Sequence, residues 1–266
     1  MVGCGSLNPG EPFLNADAHV VLSRLFYGAC AVYGVAWLAT LMRPTWGRPV
    51  ATVAVALHMI MTVGRGWVIG FLPLTNKMES FSAVALALGV VAVITWVPRR
   101  VYAVGLLTAA LAALAVAWNF GLGFSYPVAL LLTPWYALHV PLSFLAYGLW
   151  TAAALAGVVW FCERSSEWLH RCEWLMLVGF GLWSLSMVAG GIWGVLAWGA
   201  YFLWDPKVIW SVILWFHYAS ALHVRFTPSL MEWPAASPAM AMLGFVWVFV
   251  AYVGTSFFFG VGSHAF

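Results

Sequence analysis

Two groups of side chains stand out from an otherwise apolar chain as able to do chemistry. The first is a set of histidines, His58, His139, His217, His223 and His264, that fall within or beside long apolar runs. A neutral imidazole ligates a metal through one ring nitrogen, and a histidine in lipid is costly unless it meets a partner or lines a functional path. The second is "WGAYFLWDPKVIW", residues 198–210, which sets Trp198, Trp204 and Trp210 six apart around an Asp-Pro-Lys run. Asp205 and Pro206 read as the N-cap and first residue of a helix. Lys207 then falls in the first turn, where the helix dipole disfavours a cation, and an anion bound at that helix start would account for it. Trp198, Tyr201, Phe202 and Trp204 could stack on a large flat apolar ligand. Anchoring at a bilayer interface accounts for the same tryptophans and lysine equally well.

The elements that must position these groups are membrane spans. The chain has 266 residues, 64% hydrophobic and 7% charged, against roughly 25% charged in soluble domains. Its apolar residues come in long runs, which predicts an all-α, polytopic membrane helical bundle and excludes the alternating pattern of a β-barrel. Eight spans are predicted, at 20–41, 50–69, 80–97, 101–120, 138–161, 172–196, 207–225 and 240–259, forming a single transmembrane unit over residues 1–266. The first segment is expected to be a span and not a cleaved signal peptide, because Glu11 and Asp17 stand where a basic leader region belongs. Cys4, Cys30, Cys162 and Cys172 contain no Cys-x-x-Cys spacing, so neither a redox motif nor a covalent haem attachment site is present.

Alternate connections divide the basic residues unequally. Seven (Arg43, Arg48, Arg99, Arg100, Arg164, Arg171, Arg225) fall on one side and four (Arg24, Arg65, Lys77, Lys207) on the other. The richer side is expected to be cytoplasmic, which puts both termini and the loops 121–137 and 197–207 outside. His139 and His264 then come out at the outer surface from helices far apart in sequence. Two such imidazoles meeting at one depth are how a membrane bundle holds a haem iron axially. The alternative for each is a ring hydrogen-bonded to a carbonyl. His58, mid-span, and His223, at an inner helix end, could serve an inner site. His217 lies six residues before His223, about 120° round the helix, so the two cannot both face one ligand, and His217 reads as structural.

At these residues a resemblance appears. "WGAYFLWDPKVIW" closely resembles the tryptophan-rich WWD segment of the cytochrome c assembly family, and its Trp-Gly-Ala-Tyr opening and Asp-Pro-Lys ending resemble the System II branch of that family, the CcsA (ResC) type. "RGWVIGFLPLTNKMES" (65–80), "WYALHVPLSFLAYG" (135–148) and the ending "GVGSHAF" are similar to further family segments, in family order from about residue 58 onward. Phe202-Leu203, Val208-Ile209, Phe71 and Met78 depart from the family pattern.

The resemblance implies a haem-handling protein of cytochrome c maturation. It would take haem b, as substrate and ligand, across or from the membrane and present it at an extracytoplasmic tryptophan-rich segment (193–211) for thioether attachment to Cys-x-x-Cys-His apocytochrome c. It implies His139 and His264 as outer axial ligands and His223 as the histidine of an inner site. His58 is the weaker inner candidate, since the family's second inner histidine belongs to a partner protein. Trp198, Gly199, Tyr201, Trp204, Asp205, Lys207, Trp210 and Arg65 are the implied haem-contacting residues. The implied partners are a CcsB (ResB)-like membrane protein, with which the chain would form a thioether synthase complex, together with apocytochrome c and the lipid bilayer; no nucleic acid is expected. Composition, with Arg over Lys and much Ala and Val, leans toward a bacterial plasma membrane over a thylakoid. The rival readings are a b-type cytochrome subunit exchanging electrons with quinone, a System I haem-delivery protein of the CcmC type, and a transporter, for which broken helices and an internal repeat would be expected.

Overall fold

The computed structural model describes residues 11–257 apart from 228, 230 and 231. Eight long helices and no strand occur among them. They are α1 (Glu11–Met42), α2 (Pro44–Ile69), α3 (Lys77–Ile94), α4 (Arg100–Trp118), α5 (Pro134–Glu163), α6 (Ser166–Trp198), α7 (Pro206–Phe226) and α8 (Ala236–Phe249). One π-helical turn (Val250–Gly254) and a short α turn (Thr255–Phe257) prolong α8. The boundaries follow local chemistry. Proline opens α2, α5 and α7 at the first position, where its missing N–H costs nothing. Asn76, Thr133, Ser165 and Asp205 cap α3, α5, α6 and α7 by accepting a backbone N–H.

Seven helical segments are long and apolar enough to cross a membrane, and α7 falls outside that set. The physical reason is its composition: Lys207, Ser211, His217, His223 and Arg225 share its 21 residues. Its placement still follows the bundle. Lys207 shares a cavity with Trp198 at the end of α6, while Arg225 reaches Glu173 near the start of α6 at 3.5 Å. At 1.5 Å per residue α7 is about 32 Å long, the depth of a bilayer's hydrocarbon core. The predicted all-helical membrane bundle is thus the architecture found, with α5 and α6 extending further toward their N-termini than their apolar cores suggest.

The central helices are α3 and α5, buried over 67% and 72% of their most apolar stretches. α5 packs on α6, α8, α3 and α4. Ala152, Ala153, Ala154 and Ala156 are buried along it, the small residues that let helix backbones approach where no hydrophobic effect drives association. The bundle has two unlike ends. Arg43, Arg99, Arg100, Arg164 and Arg171 lie at one, where Arg99 pairs with Glu163 at 2.6 Å and Arg171 donates to the Thr95 carbonyl.

At the other end the connections are stapled by one buried ion pair. Arg65 of α2 donates to Glu79 of α3 at 2.8 Å, with side chains only 4% and 1% exposed. It also donates to the carbonyls of Leu122 and Gly123. Glu79 in turn accepts from the backbone N–H and hydroxyl of Thr75, and Tyr136 donates to the Leu74 carbonyl. Removing one member of such a pair strands a buried charge, at about 3–5 kcal/mol. Arg65→Met is expected to lower stability by that amount in detergent unfolding, and Arg65→Met with Glu79→Leu to recover much of the loss; equal losses in the single and double variants would show that the pair does not act as a unit.

Candidate functional site

The end stapled by Arg65 and Glu79 carries a cavity of about 510 Å³, within the range of small-molecule sites. Its walls come from the α2–α3 connection, the first half of α5, the last half of α6, the segment 200–205, the start of α7 and the π turn after α8.

His139 stands on its α5 wall. Its Nδ1–H donates to the Ser186 carbonyl of α6 at 2.8 Å, with the Ser186 hydroxyl at 2.9 Å. A carbonyl can only accept, so the proton sits on Nδ1 and the lone pair of the neutral ring on Nε2, the arrangement by which a second partner prepares a metal-ligating histidine. Ser143 and Ser186 complete the crossing: their hydroxyls lie 2.6 Å apart and both reach the His139 carbonyl. Gly190 makes room for the ring, since a Cβ there would stand 2.7 Å from His139 Nδ1.

Aromatic rings surround the histidine. Trp193 lies nearly parallel to it, 24° between planes and 6.2 Å between centroids. Trp193 also meets Tyr136 at 5.0 Å and Trp198 at 4.7 Å, and donates its indole N–H to the Leu130 carbonyl. Tyr147, Trp183, Phe81 and Tyr252 line the deeper part. Two lysines, Lys77 and Lys207, and the Asp205 carboxylate also reach the lining. Among the described residues no cluster of three or more His, Cys, Asp or Glu could hold a bare metal ion.

Of the residues singled out from sequence, the structure brings His139, Trp198, Tyr201, Asp205 and Lys207 to this cavity. Tyr201 is 75% exposed and forms its rim. Gly199 closes α6 at φ 75°, a left-handed conformation that glycine adopts without strain, and so turns the chain into the segment that follows. Trp204 is 86% exposed and lies off the lining, edge-on to Phe202. Trp210 packs instead on Trp247 of α8. Arg65 lies behind the wall, committed to Glu79 and loop carbonyls. His264 lies outside the described residues. His58 is fully buried between Tyr33 of α1 and Ser82 of α3, whose hydroxyl is 2.8 Å from its Nε2. His223 is exposed on α7, with its ring on the Ala219 carbonyl. The two are therefore not brought together. His217 bonds the Met240 carbonyl.

Sequence reasoning passed over Ser143, Ser186, Gly190, Trp183 and Lys77. The Gly190-Gly191 pair within a long apolar run was a legible signal of close approach, and Lys77, like Lys207, stands in the first turn of a helix.

Fold and cavity together define a class: a polytopic helical membrane protein with an aromatic recess, bearing one oriented histidine, at one end of the bundle. The comparisons narrow it. A cytochrome c assembly protein family model matches residues 74–261, more than half of the chain, and the chain belongs to that family. A stretch of 71 residues is 45% identical to the cytochrome c biogenesis protein CcsA of Guillardia theta, covering 26% of this chain and 22% of that protein. A stretch of 62 residues is 47% identical to CcsA of Gloeobacter violaceus, covering 23% and 18%. The chain thus matches about a fifth of the length of these relatives. Among solved structures, cytochrome c heme lyase CcmF superposes with a TM-score of 0.66 over 94% of this chain and 48% of that one, at 18% identity, which shows a shared fold.

Because the His139 ring fills the space a side chain at position 190 would need, Gly190→Ala is expected to cost about 1–3 kcal/mol and to shift the NMR signals of that ring. Gly181→Ala, which faces open space on the same helix, should be neutral or gain up to about 1 kcal/mol; similar behaviour of the two variants would contradict the packing described.

Proposed function

We propose that this chain handles haem in cytochrome c maturation, holding haem b in the cavity with His139 as an axial ligand and presenting it for thioether attachment to a Cys-x-x-Cys-His apocytochrome c. The observation that carries the reading is the His139–Ser186 contact. It puts the ring proton on Nδ1 and so makes Nε2 the metal-ligating atom, on a wall where Trp193 is stacked beside the ring. The remaining walls suit the rest of the ligand: aromatic rings for a flat macrocycle, and Lys207 for a propionate.

The chemistry asked of the protein is modest. In thioether formation a cysteine S–H adds across a haem vinyl group, so that one C–S and one C–H bond replace the S–H bond and the vinyl π bond. The protein's part is proximity and orientation, which can supply much of such a barrier. Retention of the iron until the apocytochrome histidine displaces a ligand is the role assigned to His139, with His264 as the second ligand. The distribution of arginines supports an extracytoplasmic cavity end, the Ala- and Val-rich, Arg-over-Lys composition supports a bacterial plasma membrane, and the partner on this reading is a CcsB (ResB)-like membrane protein. A b-type cytochrome would need facing histidine pairs at two depths, whereas His58 and His223 are engaged on separate helices.

His139→Gly is expected to lower haem retained by the purified protein at least about tenfold and to abolish cytochrome c yield in cells that depend on this chain, while His217→Gln leaves both unchanged. An unaltered Soret band in His139→Gly would refute the assignment.

A further inference from the structure

Lys77 is the charged residue of the cavity lining that the haem reading leaves without a task. It is the first residue of α3, directly after the Asn76 cap. Its ammonium lies over the rings of Phe120 and Phe257, with centroids at 5.7 and 5.3 Å. Lys207 reaches the same cavity from the start of α7, and the two ammonium groups are close enough to repel each other. The neighbouring carboxylates do not serve the two lysines alike. Asp205 attracts Lys207. Glu79, two residues from Lys77, is taken up by Arg65 and Thr75. Among the described residues Lys77 enters no ion pair.

The fold therefore holds a half-buried cation at a place that opposes it three times over. The dipole of α3 repels it, a second lysine shares its cavity, and the acid two residues along, Glu79, is engaged elsewhere. Phe120 and Phe257 offset part of that cost through their ring faces. One anion in the cavity would relieve all three terms at once. We propose that Lys77 binds a carboxylate of the cavity's ligand, so that Lys77 and Lys207 together select a flat apolar ligand carrying two carboxylates. The proposal rests on the haem reading above, since haem b carries two propionates. Lys77 is on this account a specificity-determining residue, and the Arg65–Glu79 pair behind it fixes the segment from which it projects.

The test is a titration of the full-length protein in detergent with haem b and with its dimethyl ester, which keeps iron, ring and vinyl groups but has no carboxylate. Soret spectra report both affinity and ligation. The wild-type protein is expected to bind haem b about tenfold more tightly than the diester. Lys77→Met should lose most of that preference by weakening haem b alone, with diester affinity and the His139-dependent spectrum kept as evidence that the protein is folded. Lys77→Arg should keep the preference. Equal loss for both ligands in Lys77→Met, or loss for neither, would overturn the proposal and make Lys77 an interfacial anchor. A His139-dependent spectrum with affinity indifferent to Lys77 sinks this proposal alone; a wild-type protein without such a spectrum sinks the haem reading and this proposal with it.

Discussion

The crossing of α5 and α6 at His139, Ser143 and Ser186 is the interaction on which the recess depends. Most of this bundle is held by apolar contacts that hydrocarbon tails could almost equally supply, so packing alone specifies register weakly. Three polar side chains that satisfy one another across two helices are different, because any slide of one helix against the other leaves them unpaired in lipid. Each such bond is worth only about 0.6–1.7 kcal/mol in a membrane. Its directionality matters more than its strength, because it fixes both the register of the helices and the tautomer of the histidine.

A division of labour follows among the ionic groups at this end of the molecule. Arg65 and Glu79 are engaged within the protein, joining two helices and two connections. Asp205 caps a helix. The cations Lys77 and Lys207 reach the cavity lining together with the Asp205 carboxylate. The Arg65–Glu79 pair braces the structure behind the wall while Lys77, two residues from Glu79, reaches the lining, so structural and cavity-lining charge stand within a few residues of sequence.

Much of this was legible in the sequence, but unevenly. Helix existence was readable because runs of apolar residues have one solution in lipid, and the Asp205-Pro206 start was readable because caps and N-terminal prolines act locally. The place of His139 near one end of its helix was legible from its position in the apolar run. The mates of that histidine were not, because Ser186 lies 47 residues away and its carbonyl bears no side-chain signature. Tryptophans divided in the same way. Composition marks Trp198, Trp204 and Trp210 alike, yet one lines the cavity, one faces outward and one packs on α8, a matter of helix phase and of the turn at Gly199. Arg65, read from sequence as a ligand contact, is placed where only the fold reveals that Glu79 waits for it.

The modest hydropathy of α7 has a bearing on how the protein enters the membrane. With Lys207, two histidines and Arg225 among its residues, this helix is a weaker substrate for insertion on its own than its more apolar neighbours. Its polar residues, however, meet partners on helices made before and after it: Arg225, at its end, meets Glu173 of α6, and His217, in its middle, meets the Met240 carbonyl of α8. The segment is therefore committed to the bilayer as a passenger of its neighbours. The order of synthesis, α6 before α7 before α8, becomes part of what assembles the wall of the recess that begins at Asp205.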